Sequence, residues 1–149
     1  MYPYGPAVLR LAVGTIFVGH GAQKLFGLWG GPGLSKTAEF MGQLGLGPGY
    51  VLALLVGLVE FAGGLLLILG ALTFFSALAL SINVGVAIWK VHLAGGFFLP
   101  AGYEYNIVLL GALICLMLAG PGVFSIDGRR ARSAEAEAYG RARLRAGRV

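Results

Sequence analysis

The chain has 149 residues, 58% of them apolar and only 11% charged, and its mean hydropathy of +0.84 is that of an integral membrane protein, not of a soluble domain. One cysteine, Cys115, excludes an intramolecular disulfide or a dithiol redox pair, and 26 glycines without a triplet period exclude a collagen-like chain. The net charge of +5 is lopsided: through residue 126 four Lys/Arg face three Glu, whereas from Asp127 onward seven Arg face three acidic residues. Such a tail behind apolar segments fits positive-inside orientation and argues against a nucleic-acid surface.

The first apolar stretch runs from about Ala7 to Phe26, broken by Arg10 near its start and by His20, Gln23 and Lys24 near its end. It has no basic n-region, and His20 and Lys24 stand where a signal-peptide cleavage site needs small residues, so a retained helix is expected. Residues 27–49 hold eight glycines and two prolines, too many breakers for a crossing, and read as an external linker. Within it Ser35 is expected to cap a short helix with Leu34, Ala38 and Met41 on one side, lying at the membrane surface.

A second span is expected over about Tyr50–Leu69, with Glu60 in its middle. Gly70–Thr73 then turns into a third span ending near Leu93, and a fourth covers about Tyr103–Ala119. About 20 apolar residues cross a hydrocarbon core, so the chain holds four spans and little else. The expected fold is all-α: an integral membrane four-helix bundle with a short external interfacial segment between helices 1 and 2. Residues 1–128 form the membrane domain and 129–149 an Arg-rich cytoplasmic tail. Four spans put both termini on one side, and the tail assigns that side to the cytoplasm.

The informative residues are polar ones in an apolar solvent. Arg10, Gly14, Phe17, Gly21 and Lys24 recur at spacings of three and four, with His20 beside them, so this small, polar face should meet other helices. Gly57, Glu60 and Gly64 share a face of the second helix, and Ser76, Ala79, Asn83, Ala87 and Lys90 form a stripe on the third. Counting from the span ends places Glu60 and Asn83 roughly 15 Å deep, His20 in the outer third, and Lys24, Lys90, His92 and Glu104 near the outer boundary. His20, Lys24, Glu60 and Lys90 are therefore expected to line one cavity open to the outer face.

A lone carboxylate at the midplane costs about 3 kcal/mol or more, so Glu60 is expected to be protonated, paired with Lys24, Lys90 or His20, or set in a wet cavity. The competing reading is a packing hydrogen bond. Lys24 and Lys90 equally suit snorkelling anchors beside Trp29 and Trp89, and Asn83 suits a link between helices. No Glu-x-x-His motif accompanies His20 and His92, so no metal is expected. Cys115 is expected to face inward with Gly111 as a small core residue, and Phe97, Phe98, Tyr103 and Tyr105 to be interface aromatics.

The runs RLAVGTIFVGHGAQKLFG, GGPGLSKTAEF, VEFAGGLLLILG and EYNIVLLGALICLMLAGPGVFSID, across about residues 8–128, resemble the DoxX family of small bacterial four-helix membrane proteins. The likeness rests on His20-Gly21, Lys24-Leu25-Phe26-Gly27, Gly30-Gly31, Glu60 with Gly63-Gly64, Glu104-Tyr105 and Gly120-Pro121-Gly122. It departs at Leu72-Thr73-Phe74, where relatives often carry Arg after the Thr. The resemblance implies a bacterial inner-membrane location and a role in redox physiology, since DoxD-type relatives are subunits of thiosulfate:quinone oxidoreductases.

On that footing the chain is expected to be a subunit of a quinone-linked oxidoreductase. His20 and Glu60 are its catalytic, proton-handling residues, and Lys24, Asn83, Lys90, His92 and Glu104 bind ligand. The implied partners are membrane lipids, a quinone and a soluble redox protein that donates electrons. The alternative is a non-enzymatic anchor, or a lipid-binding partner of a soluble redox enzyme. Quinone binding rests on the resemblance alone; composition and spacing do not specify it.

Overall fold

A computed structural model describes residues 4–146, and among them the protein is all-helical, with 82% helix and no strand. Six helices follow in order: α1 (Tyr4–Phe26), α2 (Gly33–Gln43), α3 (Gly49–Leu69), α4 (Thr73–Ala87), α5 (Glu104–Ala119) and α6 (Ile126–Ala146). A 3₁₀ turn at Leu28–Gly30 separates α1 from α2. At its C-terminal end α4 runs into a π-helical turn, Ile88–His92, and a 3₁₀ turn, Leu93–Gly95. Two continuous helical stretches, Gly49–Leu69 and Thr73–Gly95, are long and apolar enough to cross a membrane. The 16-residue α5 is apolar but shorter, and the 23-residue α1 carries Arg10, His20, Gln23 and Lys24.

α1 packs against α3, α3 against α4, and α4 against α5, which also touches α1; α2 folds back onto α3 and α1. The α1–α3 contact is antiparallel and depends on glycine. A Cβ on Gly14 would stand 2.7 Å from the carbonyl oxygen of Gly64, and one on Gly64 would stand 2.8 Å from the nitrogen of Val18. One on Gly21 would run into the backbone of Phe61, and one on Gly57 would lie 2.6 Å from Leu25 Cδ2. Backbones this close gain dispersion contacts along the whole line of approach, the main attraction between helices in lipid.

The distribution of side chains is inverted relative to a water-soluble protein. Arg10 is 1% exposed while Leu118 is 84% exposed, and Leu11, Leu54, Leu55, Phe75, Ile82 and Val108 all point outward. A soluble monomer does not present a continuous apolar exterior of this kind. The shared core is modest: Val13 and Phe17 of α1, Leu67 of α3, Ala77, Leu80 and Val84 of α4, and Leu109, Leu113 and Leu116 of α5.

One end of the assembly is closed by Arg10. Its guanidinium donates to the carbonyls of Pro121 (2.7 Å), Leu67 (2.9 Å), Ile68 (3.0 Å), Val123 (3.0 Å) and Phe124 (3.3 Å). Leu67 and Ile68 lie in the last turn of α3, where carbonyls lack helical partners and carry the negative end of the helix dipole. Five directional donors are a guanidinium's full complement; a lysine ammonium has three.

Beside it, Gly70 (φ +63°) ends α3 in the left-handed conformation, with Ala71 N–H donating to Leu66 O and Gly70 N–H to Leu67 O. Asp127, at the start of α6, then caps α4. Its carboxylate accepts from Leu72 N (3.1 Å), Thr73 N (2.8 Å) and Thr73 Oγ1 (2.8 Å), and its own N–H donates to Gly70 O. Partial burial opposes ionisation of Asp127, but these bonds to Thr73 and Leu72, with nearby Arg130, hold its carboxyl below the usual aspartate range.

Two expectations are corrected. Ser35 does not cap the linker helix: α2 starts earlier, at Gly33 after Pro32, whose fixed φ suits a helix start. Ser35 is exposed in the first turn, and Thr37 and Met41 are the buried residues, turned toward the helices α2 packs on. Cys115 and Gly111 do not face inward but are exposed, because the buried stripe of α5 is Asn106, Leu109, Leu113 and Leu116, and its 3.6-residue period turns Gly111 and Cys115 away.

The glycine contact predicts that Gly64→Leu, which forces α1 and α3 apart, destabilises the protein by about 1–3 kcal/mol, whereas Gly111→Leu, with nothing within 4 Å of its Cβ position, is neutral. Unfolding in detergent followed by circular dichroism reads both; equal losses would show that close approach is not what holds the pair.

Candidate functional site

The end opposite Arg10 holds the polar cluster. Glu60 lies near the middle of α3, level with Gly21 of α1, where glycine lets the neighbouring backbone come close. One turn farther along α1, Lys24 reaches back so that its Nζ lies 2.5 Å from Glu60 Oε2. The other carboxylate oxygen, Oε1, accepts from Asn83 Nδ2 of α4 at 2.9 Å. Glu60 thus joins three helices, and its side chain is 8% exposed against 24% for Lys24. The carboxylate has a countercharge and a neutral donor, which offsets the desolvation of a charge in an apolar segment.

These groups form part of the wall of a cavity of about 190 Å³ between α1, α3, α4 and α5. Its polar lining is His20, Lys24, Glu60, Asn83, His92, Tyr105 and Asn106, set among Phe17, Val84, Ala87, Leu99 and Leu109. His20 is exposed. His92 Nδ1 lies 3.3 Å from the carbonyl oxygen of Ala101 and, in the tautomer protonated there, donates to it. Among the described residues no three His, Cys, Asp or Glu side chains converge as metal ligands.

Of the residues singled out from the sequence, His20, Lys24, Glu60, Asn83 and His92 meet at this cavity. Lys90 does not: its ammonium sits 4.2 Å from the centroid of the Trp89 ring, a cation–π contact outside the lining. The cause is local. The stripe Ser76, Ala79, Asn83, Ala87, Lys90 assumes a 3.6-residue turn, but residues 88–92 take the wider π-helical turn, which brings His92 into the cavity wall and leaves Lys90 outside. Glu104 is also outside; its Oε1 accepts from Leu99 N at 2.9 Å and holds the 96–103 loop, whose Leu99 and Gly102 face the cavity.

Two lining residues were not among the sequence candidates. The sequence pattern marks Tyr105 as an interface aromatic and gives no periodic polar stripe that includes Asn106. The signal for Asn106 was available: it heads the α5 stripe Asn106, Leu109, Leu113, Leu116, the only amide on an otherwise leucine face. Arg10 was placed on a contact face, but its carbonyl cage draws on the 121–124 loop, which no helical pattern anticipates.

The DoxX family profile matches residues 5–93, and the chain belongs to the DoxX family of membrane proteins. A Haemophilus influenzae protein without an assigned role is 31% identical over 134 residues, covering 85% of this chain and 91% of its own. The Escherichia coli inner membrane protein YqjF is 30% identical, covering 83% and 89%. A Bacillus subtilis relative bearing the name "Putative oxidoreductase CatD" is 29% identical, covering 85% and 87%. No solved structure matches the chain.

Removing one partner of the Lys24–Glu60 pair should leave the other charge poorly compensated. Lys24→Met is expected to destabilise by about 1–3 kcal/mol, and Lys24→Met with Glu60→Leu to recover most of that loss. A double-mutant cycle by denaturant titration in detergent measures the coupling; additive effects would mean the pair does not hold α1 to α3.

Proposed function

We propose that this DoxX-family protein is the membrane-embedded subunit of a bacterial redox system, and that its cavity receives the ring of a quinone. In this reading α1, α3, α4 and α5 cross the cytoplasmic membrane as a four-helix bundle formed by residues 1–128. Both termini are cytoplasmic, and the Arg-rich tail, residues 129–149, stays on that side. The observation that carries the reading is Glu60: a carboxylate in the middle of an apolar helix, bordering a cavity that also holds two histidines. An ionisable group at that depth is expensive and marks a ligand or proton path more often than a packing device.

The size of the cavity supports a ring ligand. An apolar cavity of about 150 Å³ admits benzene, while pockets for drug-sized ligands start at about 300 Å³. At about 190 Å³ this one takes a single substituted ring, with any isoprenoid tail left in lipid. Reduction of a quinone to a quinol takes up two electrons and two protons. The electrons come from a soluble redox protein, since the chain has neither a nucleotide fingerprint nor a cysteine pair. His20, which is exposed, takes up protons from water; His20 or Lys24 hydrogen-bonds a ring carbonyl, and Glu60, protonated in turn by way of His20, passes one proton to each of the two reduced oxygens. The name of the Bacillus relative agrees with oxidoreductase chemistry.

One feature favours a second reading. Lys24, Glu60 and Asn83 already satisfy one another, as a fixed packing element would, which suits a non-enzymatic anchor for a soluble redox enzyme. Extraction of small molecules from protein purified in mild detergent separates the two: a stoichiometric quinone is expected, and phospholipid alone would favour the anchor. Glu60→Gln keeps size and hydrogen-bonding capacity, so it should fold normally yet lower quinone content or partner-dependent quinone reduction tenfold or more, about 1.4 kcal/mol. Wild-type values in that variant would remove Glu60 from proton handling.

The topology has its own test. Reporter fusions at Ser35 and Ser133 should lie on opposite sides of the membrane; the same side for both would overturn the span count or the orientation.

A further inference from the structure

Of the cavity's polar side chains without a hydrogen-bond partner among the described residues, His20, Tyr105 and Asn106, only Asn106 is buried. It is 9% exposed, on the buried face of α5, and it lines the cavity. None of the hydrogen bonds among the described residues uses its carboxamide, whereas Lys24, Glu60 and Asn83 are occupied with each other. Its amide atoms are open to the cavity and not sealed in the core, where Ser76 Oγ is the buried polar atom without a partner among the described residues, so the amide is free to meet something that enters the cavity.

The chemistry of the amide narrows what that is. An asparagine side chain carries a donor and an acceptor on one planar group and changes which it presents by rotation. It can donate to a carbonyl oxygen and accept from a hydroxyl on the same ring position, which a lysine or a carboxylate cannot do without changing charge. The charged pair across the cavity neutralises itself, so the walls favour a neutral ring over an anion.

Resting on the reading of this cavity as a ring site, we propose that Asn106 is its specificity-determining residue, recognising the oxygen of a neutral single-ring ligand in both its carbonyl and its hydroxyl form. Nothing in the charged pair is required for this discrimination. Asn106 contributes it from the α5 wall, while Glu60 acts from α3.

Three rings of nearly equal shape test it: duroquinone, durohydroquinone and the oxygen-free hydrocarbon durene, bound to the full chain in detergent and measured by equilibrium dialysis. Wild-type protein should bind both oxygenated rings at least tenfold more tightly than durene. Asn106→Leu should lose tenfold or more for both and keep its affinity for durene, which shows that the cavity is intact. Asn106→Asp, assayed from about pH 5 to 10, should shift preference from duroquinone toward durohydroquinone as its carboxyl ionises and can then only accept. Should Asn106→Leu bind no ring because the cavity has collapsed, the near-isosteric Asn106→Asp decides, and an unchanged quinone-to-quinol preference there overturns the proposal. Wild-type affinity for the oxygenated rings in Asn106→Leu would overturn the role of Asn106 while leaving the ring site standing. If the wild type favours neither oxygenated ring over durene, or binds none of the three, the proposal falls, and in the last case the ring-site reading falls with it.

Discussion

The close approach of α1 to α3 is the constraint on which the rest depends. Gly14 and Gly64 bring the two backbones together, and Gly21 lies against Phe61. Without that proximity Lys24 would not span to Glu60, and Arg10 would not reach the last carbonyls of α3. In lipid no hydrophobic effect drives helices together, so close backbone packing and polar contacts have to supply the association.

The two ends of α1 use their charges differently. Arg10 sits in a cage of five carbonyls, with no carboxylate among its hydrogen-bond partners, and it ties α1 to α3 and to the loop before α6. Its acceptors are backbone dipoles, held in place by the helix end and the loop that carry them. At the other end Lys24 meets a side-chain carboxylate beside a cavity, where the groups can exchange partners or protons. Asp127 strengthens the first end by capping α4 from the start of α6, so the α3–α4 turn and the exit from α5 are fastened to each other. The carbonyl cage of Arg10 and the cavity beside Glu60 thus lie toward opposite ends of α1.

The cavity itself combines elements of different character. α1 and α3 contribute a charged pair on regular helices, positioned by glycine contacts. The end of α4 contributes His92 through a π-helical turn, and the 96–103 loop closes over it, held by Glu104 and by the backbone bonds from Tyr103 and Glu104 to Gly96 and Phe97. π-helical turns are uncommon and recur at functional sites, because the extra residue per turn re-aims a side chain without ending the helix.

Much of this was determined by the sequence alone. Apolar runs and glycine clusters delimit the helices, and the Arg10, Gly14, Phe17, Gly21 row marks the α1 contact face, because helical periodicity is local and needs no knowledge of neighbours. That Glu60 needs a partner or water followed from the cost of an isolated charge in an apolar segment; that the partners are Lys24 and Asn83 did not. Tertiary structure decided what periodicity cannot carry. The π-helical turn broke the register that had put Lys90 beside Glu60, and the actual buried stripe of α5 turned Cys115 outward and brought Asn106 in. The carbonyl cage of Arg10 and the cap from Asp127 join segments more than fifty residues apart. Such contacts depend on where irregular backbone directs its dipoles in space, and the order of side chains along a helix does not encode that.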